Sequence, residues 1–209
     1  MKRGLFIVVD SGEGSGKTTQ LNNARDLFGD SLVLTREPGG SLYAEMIRKV
    51  ILDPMAGQAD AKTLFGLFWA ARADHLKNTI KPALEAGKIV ISDRFDSSTF
   101  AYQLVAQGNR DLEPLFWQMR EFYLGDLKPD LYVYFDIDPV VGLARKNQQG
   151  GDELNHFEAR KIDFHNAIRA GYKEFITLVP NAVIIDAGQS KEKVWEDFKK
   201  VLDQRILER

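Results

Sequence analysis

The chain has 209 residues, a formal net charge of −2 and no cysteine. This length suits one well-cored domain, and we expect a single domain over residues 1–209. The charge balance argues against a dedicated nucleic-acid binder, and the lack of cysteine excludes disulfides and thiolate catalysis. No apolar run approaches the length of a membrane span, and no signal-peptide pattern precedes the first predicted strand. We therefore expect a cytoplasmic protein that binds neither nucleic acid nor membrane.

The first stretch of the chain combines a strand, a glycine-rich turn and the start of a helix. Residues 5–9 form an apolar run that predicts a buried strand, and a turn of alternating glycines follows it. The turn ends at Lys17-Thr18, where helical composition begins. Backbone N–H groups and the helix dipole would converge on one spot, so this stretch predicts a phosphate cradle for a nucleoside triphosphate. Lys17 would reach the outer phosphates, and the Thr18 hydroxyl would ligate Mg²⁺.

One position departs from the phosphate-loop pattern G-x-x-x-x-G-K-[ST]. Its first glycine falls at position 11, which is Ser here. A serine is compatible with this position if its φ is negative, and we expect that conformation at Ser11. The alternative is an ordinary glycine-rich turn with a chance lysine, which would not explain the strand before it and the helix start after it.

Strand-like runs alternate with helical patterns along the rest of the chain. Strands are predicted at residues 5–9, 31–35, 88–93, 131–136 and 182–185. Helices are predicted at about 17–28, 41–52, 60–86, 97–106, 112–124, from 138 onward, 155–178 and 191–207. Apolar strands separated by helices predict an α/β fold with a parallel five-stranded sheet flanked by helices on both faces, as in phosphate-loop nucleotide-binding domains. The polar, glycine-dense stretch within residues 145–158 predicts a mobile lid.

Ligands of such sheets lie beyond the carboxyl ends of the strands. Asp93 and Arg94 follow a predicted strand there, where an acid could hold a metal ion and an arginine could clamp an acceptor phosphate. The alternative is a surface salt bridge. Phe68 and Arg72 share one face of a predicted helix, as a ring and a guanidinium that contact a nucleobase would. An aromatic residue at helical spacing is also common in a core.

Four motifs in this order closely resemble those of the thymidylate kinase family, which makes dTDP from dTMP with ATP and Mg²⁺. They occupy residues 10–20, 35–40, 68–72 and 93–103. The resemblance spans nearly the whole chain. It implies a kinase of dTTP biosynthesis whose small-molecule substrates are dTMP and ATP, and it implies the family's usual homodimer.

The resemblance also implies roles for individual residues. The ATP site would comprise Ser11, Gly12, Gly14, Ser15, Gly16, Lys17, Thr18, Thr19 and Gly188. The dTMP site would comprise Glu13, Glu37, Arg48, Phe68, Arg72, Arg94, Thr99, Tyr102 and Gln103. Within it, Glu13 would contact the 3′-hydroxyl, Phe68 would stack on thymine, and Arg72 would hydrogen-bond its O4. Thr99 would read N3, and Tyr102 would crowd the ribose 2′ position. Thr18 and Asp93 would hold Mg²⁺.

The lid departs from the family pattern. Members of the family place catalytic arginines in the phosphate loop or in the lid, whereas this loop has none and the lid is poor in arginine. Lys17, Arg94 and Arg145 are the expected catalytic residues, and Lys146 and Arg160 are alternatives to Arg145. Three alternatives stay open at this point. They are a kinase of another deoxynucleotide or nucleoside, a nucleotide-dependent switch or ATPase without phosphoryl transfer, and a catalytically impaired homologue, which Ser11 and the arginine-poor lid suggest.

Overall fold

A parallel five-stranded sheet lies at the centre of the computed structural model, which describes residues 3–149 and 161–207. The strands are β1 (Leu5–Ser11), β2 (Leu32–Arg36), β3 (Ile89–Asp93), β4 (Leu131–Asp136) and β5 (Ala182–Asp186). They pair in the order β2-β3-β1-β4-β5. This is the sheet that the apolar runs predicted, and each observed strand lies within a residue or two of its predicted span.

Helices connect the strands. They are α1 (Lys17–Phe28), α2 (Leu42–Leu52), α3 (Ala61–His75), α4 (Lys81–Glu85), α5 (Asp96–Thr99), α6 (Glu113–Leu124), α7 (Pro139–Gln149), α8 (Ile162–Leu178) and α9 (Lys191–Leu207). Wider π-helical turns at Leu76–Ile80 and Phe100–Ala106 continue α3 into α4 and extend α5. Both long helical predictions, at 60–86 and 97–106, therefore correspond to helix with a π-helical section that hydrophobic periodicity does not reveal.

One predicted helix boundary was wrong. The helix expected from residue 155 begins at Ile162, because Lys161 has an extended backbone with φ −66° and ψ 160°. Residues 155–160 lie outside the described part of the chain, as do residues 150–158 of the predicted lid. The described residues of that lid, from Arg145 onward, form the end of α7.

The sheet is covered on both faces because successive side chains of each strand point to opposite sides. Phe6 and Val8 of β1 pack into a core with α3, α6 and α8. Leu5, Ile7 and Val9 pack into a second core with α1 and α9. The strand ends that carry polar residues therefore meet at one edge, where Arg36 is paired in register with Asp93.

No helix in residues 3–149 and 161–207 combines the length and the apolar character that crossing a bilayer requires.

Candidate active site

The turn between β1 and α1 has the geometry of a phosphate-binding loop. Gly14 and Gly16 have φ of 67° and 78°, and Ser11 is not among the residues with positive φ, as expected. A Cβ at Gly14 would lie 1.9 Å from the carbonyl oxygen of Gly142, so only glycine fits between the loop and α7. The first turn of α1 has no acidic residue and no side-chain cap. The Lys17 N–H donates to Ser15 Oγ at 3.3 Å, and the following N–H groups of this turn face the place where an anion would bind.

Lys17 opens α1 and is buried, with a side chain only 10% exposed. Its ammonium group pairs with the Asp93 carboxylate at the end of β3. Burial lowers the pKa of Lys17 and the charge of Arg94 lowers it further, against the opposing effect of Asp93. Thr18 and Thr19 follow as exposed residues. The loop thus holds one cation and two hydroxyl groups at the mouth of the site.

Asp93 and Arg94 lie against the phosphate loop rather than on the outer surface. Burial would raise the pKa of Asp93, but the charges of Lys17 and Arg94 hold it below its ordinary value. Arg94 has a φ of 67°, a conformation that is strained for a residue with a side chain. Its guanidinium donates to Tyr172 Oη at 2.9 Å and contacts Glu13 Oε1 at 3.4 Å. Asp93 and Arg94 are therefore part of the site. The salt bridge of Asp93 is made with the buried Lys17 and is not the surface salt bridge considered as the alternative.

The residues present fit a magnesium ion bound together with nucleotide phosphates. The described residues contain no cluster of three His, Cys, Asp or Glu side chains that would form a protein-only metal site. Mg²⁺ often keeps its waters and takes only one or two protein oxygens beside phosphate oxygens. The exposed Thr18 hydroxyl and the ionised Asp93 carboxylate supply such oxygens. Their role as ligands stays a prediction.

A cavity of about 210 Å³ opens beside the loop. It is lined by Glu13, Arg36, Glu37, Pro38, Arg48, Leu52, Phe68, Arg72, Asp93, Arg94, Phe95, Ser98, Thr99, Tyr102 and Gln103. Every residue that the resemblance placed around dTMP is among them. The structure therefore brings together residues from six separate elements, and their individual contacts with a nucleotide stay predictions.

Two buried groups in this cavity have polar atoms without a partner among the described residues. Both amide atoms of Gln103 and the Nη1 atom of Arg72 are unpaired. Leaving a buried donor or acceptor unpaired costs about 1–3 kcal/mol, so these atoms mark the places where a polar ligand would be accepted. Phe68 lies at the cavity half-buried. A ring beside unpaired hydrogen-bonding groups suits a nucleobase.

Arg145 and Lys146 at the end of α7 point to different partners. Both terminal nitrogens of Arg145 donate at 2.9 Å to the carbonyl oxygens of Ala187 and Gly188 in the loop after β5. Lys146 Nζ donates to Glu13 Oε2 at 2.9 Å, inside the phosphate loop. Burial would raise the pKa of Glu13, but Arg94 and Lys146 lower it. Lys146, rather than Arg145, is therefore the α7 cation that contacts this loop, and the catalytic role of Arg145 stays a prediction.

Sequence reasoning missed a polar network behind Arg94. Asp10 accepts hydrogen bonds from Ser97 and Ser98, and burial raises the pKa of its carboxyl group. Ser98 Oγ lies 2.6 Å from Tyr172 Oη, which in turn accepts from Arg94. Tyr172 is on α8, 78 residues from Arg94 along the chain. No local spacing relates two residues so far apart, so only the packing of α8 could reveal the contact.

We predict that Tyr172→Phe lowers kcat of the expected phosphoryl transfer about tenfold and leaves the fold intact. The ring would stay in the core, but Arg94 would lose a fixed partner, and a misplaced catalytic group costs rate. Steady-state kinetics with circular dichroism measures both effects. Tyr123→Phe on α6 is the control, because Tyr123 stacks on Trp69 outside this network. Equal kcat for Tyr172→Phe and the unmodified chain would contradict the positioning role.

Comparisons with known proteins agree on one family. The family model described as thymidylate kinase matches residues 9–198. The chain is 41% identical over 209 residues to "Thymidylate kinase" of Bacillus licheniformis, with 98% of each protein covered. It is 39% identical over 210 residues to "Thymidylate kinase" of Halalkalibacterium halodurans, with 99% of each covered.

Solved structures give the same result. The thymidylate kinase from Ehrlichia chaffeensis superposes with a TM-score of 0.73 at 30% identity, covering 96% of this chain and 99% of that one. The family match, the full-length relatives and the shared fold coincide with a phosphate loop that adjoins a cavity lined by the residues expected around dTMP. This chain belongs to the thymidylate kinase family.

Proposed function

We propose that this chain transfers the γ-phosphoryl group of ATP to dTMP, giving dTDP and ADP in the supply of dTTP. The observation that carries the proposal is the cavity beside the phosphate loop, in which a cationic end and a base-accepting end are joined. Arg36, Arg48 and Arg94 supply the cations near Asp93 and the loop, while Phe68 and Arg72 supply the other end. A nucleoside monophosphate has the same two ends, an anion and a base.

The transfer would depend on positioning and charge rather than on covalent chemistry. The phosphate loop and the N-terminus of α1 would hold the ATP phosphates, with Lys17 leaving Asp93 to contact them. Arg94 would neutralise charge between acceptor and donor phosphates. Mg²⁺, held by Thr18 and Asp93, would supply charge neutralisation on the ATP phosphates. The cavity walls would exclude water and so suppress ATP hydrolysis.

The base end favours thymine over cytosine. Arg72 Nη1 is a donor without a partner in the described residues, and it suits the O4 carbonyl of thymine. Cytosine would present an amino donor at that position. Thr99 Oγ1, which accepts from Arg72 Nη2 at 3.0 Å, adjoins the place where N3–H would lie. These contacts support dTMP against dCMP as the acceptor.

A coupled assay of ADP release tests the proposal. With ATP and Mg²⁺, we expect strong release that depends on dTMP, weak release with dCMP or dGMP, and dTDP as the product. ADP release without any acceptor would instead indicate an ATPase or switch. Release with dCMP equal to that with dTMP would replace the proposed substrate.

We also propose that the chain acts as a homodimer. α2 exposes an apolar face in which Leu42, Tyr43, Met46 and Val50 are each more than half exposed. This helix packs on α3, and Trp69 of α3 stacks on Tyr123 of α6. Phe122 on α6 is 81% exposed. So many large apolar groups on one layer of helices support contact with a second copy, in keeping with the family's usual assembly.

We predict that Met46→Lys converts the dimer to a monomer at micromolar concentration. A charge placed in an apolar, self-complementary contact appears twice in a twofold interface, so its cost is doubled. Light scattering after size-exclusion chromatography measures the mass. Val140→Lys places the same charge at an exposed apolar position on α7, away from this face, and serves as the control. A monomeric unmodified chain would refute the dimer.

A further inference from the structure

His75 is a buried histidine that no motif singled out and that does not line the acceptor cavity. It ends α3, one turn after Arg72, and is fully buried. Its Nδ1 atom lies 3.1 Å from Glu37 Oε1, and its Nε2 atom lies 2.7 Å from Thr35 Oγ1. Both ring nitrogens are therefore engaged. A carboxylate oxygen only accepts, so Nδ1 is the donor to Glu37.

Glu37 connects His75 to the base end of the cavity. Its other oxygen, Oε2, accepts from Arg72 Nε at 2.9 Å and lies 2.8 Å from Arg72 Nη2. Arg72 Nη2 also donates to Thr99 Oγ1. The guanidinium is held between two rings, with Cζ 4.5 Å from the Trp69 centroid and 5.0 Å from the Phe95 centroid. The Nε and Nη2 atoms, which carry three of its five N–H groups, face these partners, and Nη1 with the other two is left for a ligand.

Gly40 packs against the Nε2 side of the His75 ring. A Cβ at this glycine would lie 2.4 Å from both His75 Nε2 and Thr35 Oγ1, and its φ is 85°. Its carbonyl oxygen accepts from Thr79 Oγ1 at 2.7 Å. The imidazole therefore fits in one orientation between Gly40 and Glu37. A side chain fixed on both nitrogens is able to fix the carboxylate that it contacts.

We propose that His75 is a positioning residue that sets base specificity by holding Glu37, so that Arg72 presents Nη1 to the carbonyl at position 4 of the pyrimidine. This inference rests on the proposed function. Without the Nδ1 donor, Glu37 Oε1 is a buried acceptor with one partner fewer, and the carboxylate turns toward Arg72 to recover one. Arg72 Nη1 is then drawn to Glu37 and away from the ligand. The contacts of His75, Glu37 and Arg72 described above do not include Arg36, Arg48 or Arg94, the cations of the phosphate end.

The test compares His75→Leu with His75→Asn, because the asparagine amide retains a donor near the position of Nδ1. For His75→Leu we expect KM for dTMP to rise about tenfold with kcat within a factor of two, since the base is remote from the transferring phosphoryl group. The preference for dTMP over dCMP should fall about tenfold. The preference for dTMP over dUMP should stay unchanged, because these two share the carbonyl at position 4 and differ only in the methyl group. His75→Asn should restore KM to within about threefold.

Calorimetric titration of dTMP in the absence of ATP provides a readout independent of turnover, with the same tenfold and threefold differences expected in Kd. Leu84→Ala, at a buried core position on α4, controls for loss of stability alone. If His75→Leu does not fold, Thr35→Val removes the partner of Nε2 and should shift the same ratios in the same direction by about threefold.

Unchanged KM and Kd, or equal loss of the dCMP and dUMP preferences, would overturn the proposal. A failure of the unmodified chain to phosphorylate dTMP while it still binds dTMP would refute the proposed function and leave the binding test of His75 in place.

Discussion

Replacement of Arg94 by alanine is expected to lower kcat about a thousandfold, since an arginine that reaches a transferring phosphoryl group contributes about 10³-fold or more. This corresponds to about 4 kcal/mol of transition-state stabilisation. Arg94 lies between the phosphate loop and the acceptor cavity, where it contacts Tyr172 and Glu13 and makes a cation–π contact 5.1 Å from the Tyr102 ring centroid. Single-turnover kinetics with ATP and dTMP measures the chemical step directly.

Two further variants test whether the loss of rate is specific to the guanidinium group of Arg94. Arg94→Lys keeps the charge but loses the planar fork, and we expect it to recover only a small part of the rate. Arg110→Ala removes a surface arginine that pairs with Glu174 at 2.6 Å and with Glu113 at 3.2 Å, and it should leave kcat unchanged. Near-normal turnover of Arg94→Ala would refute the role of Arg94 and direct attention to Lys146, which contacts the same Glu13 carboxylate.

The second large effect is expected for Lys17→Met, which should lower kcat/KM for ATP by about 10²–10³, the usual range for loss of one preorganised electrostatic contact. Methionine fills most of the buried volume of the lysine stem but carries no charge. The variant also leaves the Asp93 carboxylate without its partner. Kinetics over a range of ATP concentrations, with dTMP saturating, measures the change.

Binding of dTMP to the acceptor cavity provides the control for the Lys17→Met experiment. Calorimetric binding of dTMP should change less than fivefold in Lys17→Met, because the base end of the cavity is formed by α3 and the segment after β3. Lys81→Met, at an exposed position on α4, should match the unmodified chain. An equal loss of dTMP binding would mean that Lys17 supports the whole edge of the sheet rather than the ATP phosphates alone.

Most of the fold was predictable because its signals are local. Apolar runs of strand length, such as residues 131–136, and the helical patterns between them are properties of short windows. The phosphate loop was predictable for the same reason: its glycines, Lys17 and Thr18 are consecutive. The start of α8 was predicted too early because helical composition continues upstream of Lys161. The backbone of Lys161 is extended, but nothing in the sequence signals this.

The candidate site was predictable only where its residues occur in motifs. Thr99, Tyr102 and Gln103 follow Arg94 closely in the chain, so a motif includes them all. Lys146 and Tyr172 reach the same site from α7 and α8, and His75 reaches it through Glu37. Lys146 was named from the sequence only as an alternative to Arg145. Tyr172 and His75 carry no signal of their own, because a tyrosine and a buried histidine are ordinary in any α/β protein.

The sequence by itself predicted the order of strands and helices along the chain and the phosphate loop, since these depend on periodicity or on a contiguous motif. The family resemblance implied the residues expected around dTMP. Only the tertiary structure decided which partners hold those residues. It paired Lys17 with Asp93, Arg94 with Tyr172, and Glu37 with both Arg72 and His75. Such pairings join residues 35 to 78 positions apart, and they exist because parallel strands bring their carboxyl ends to one edge and helices pack over it.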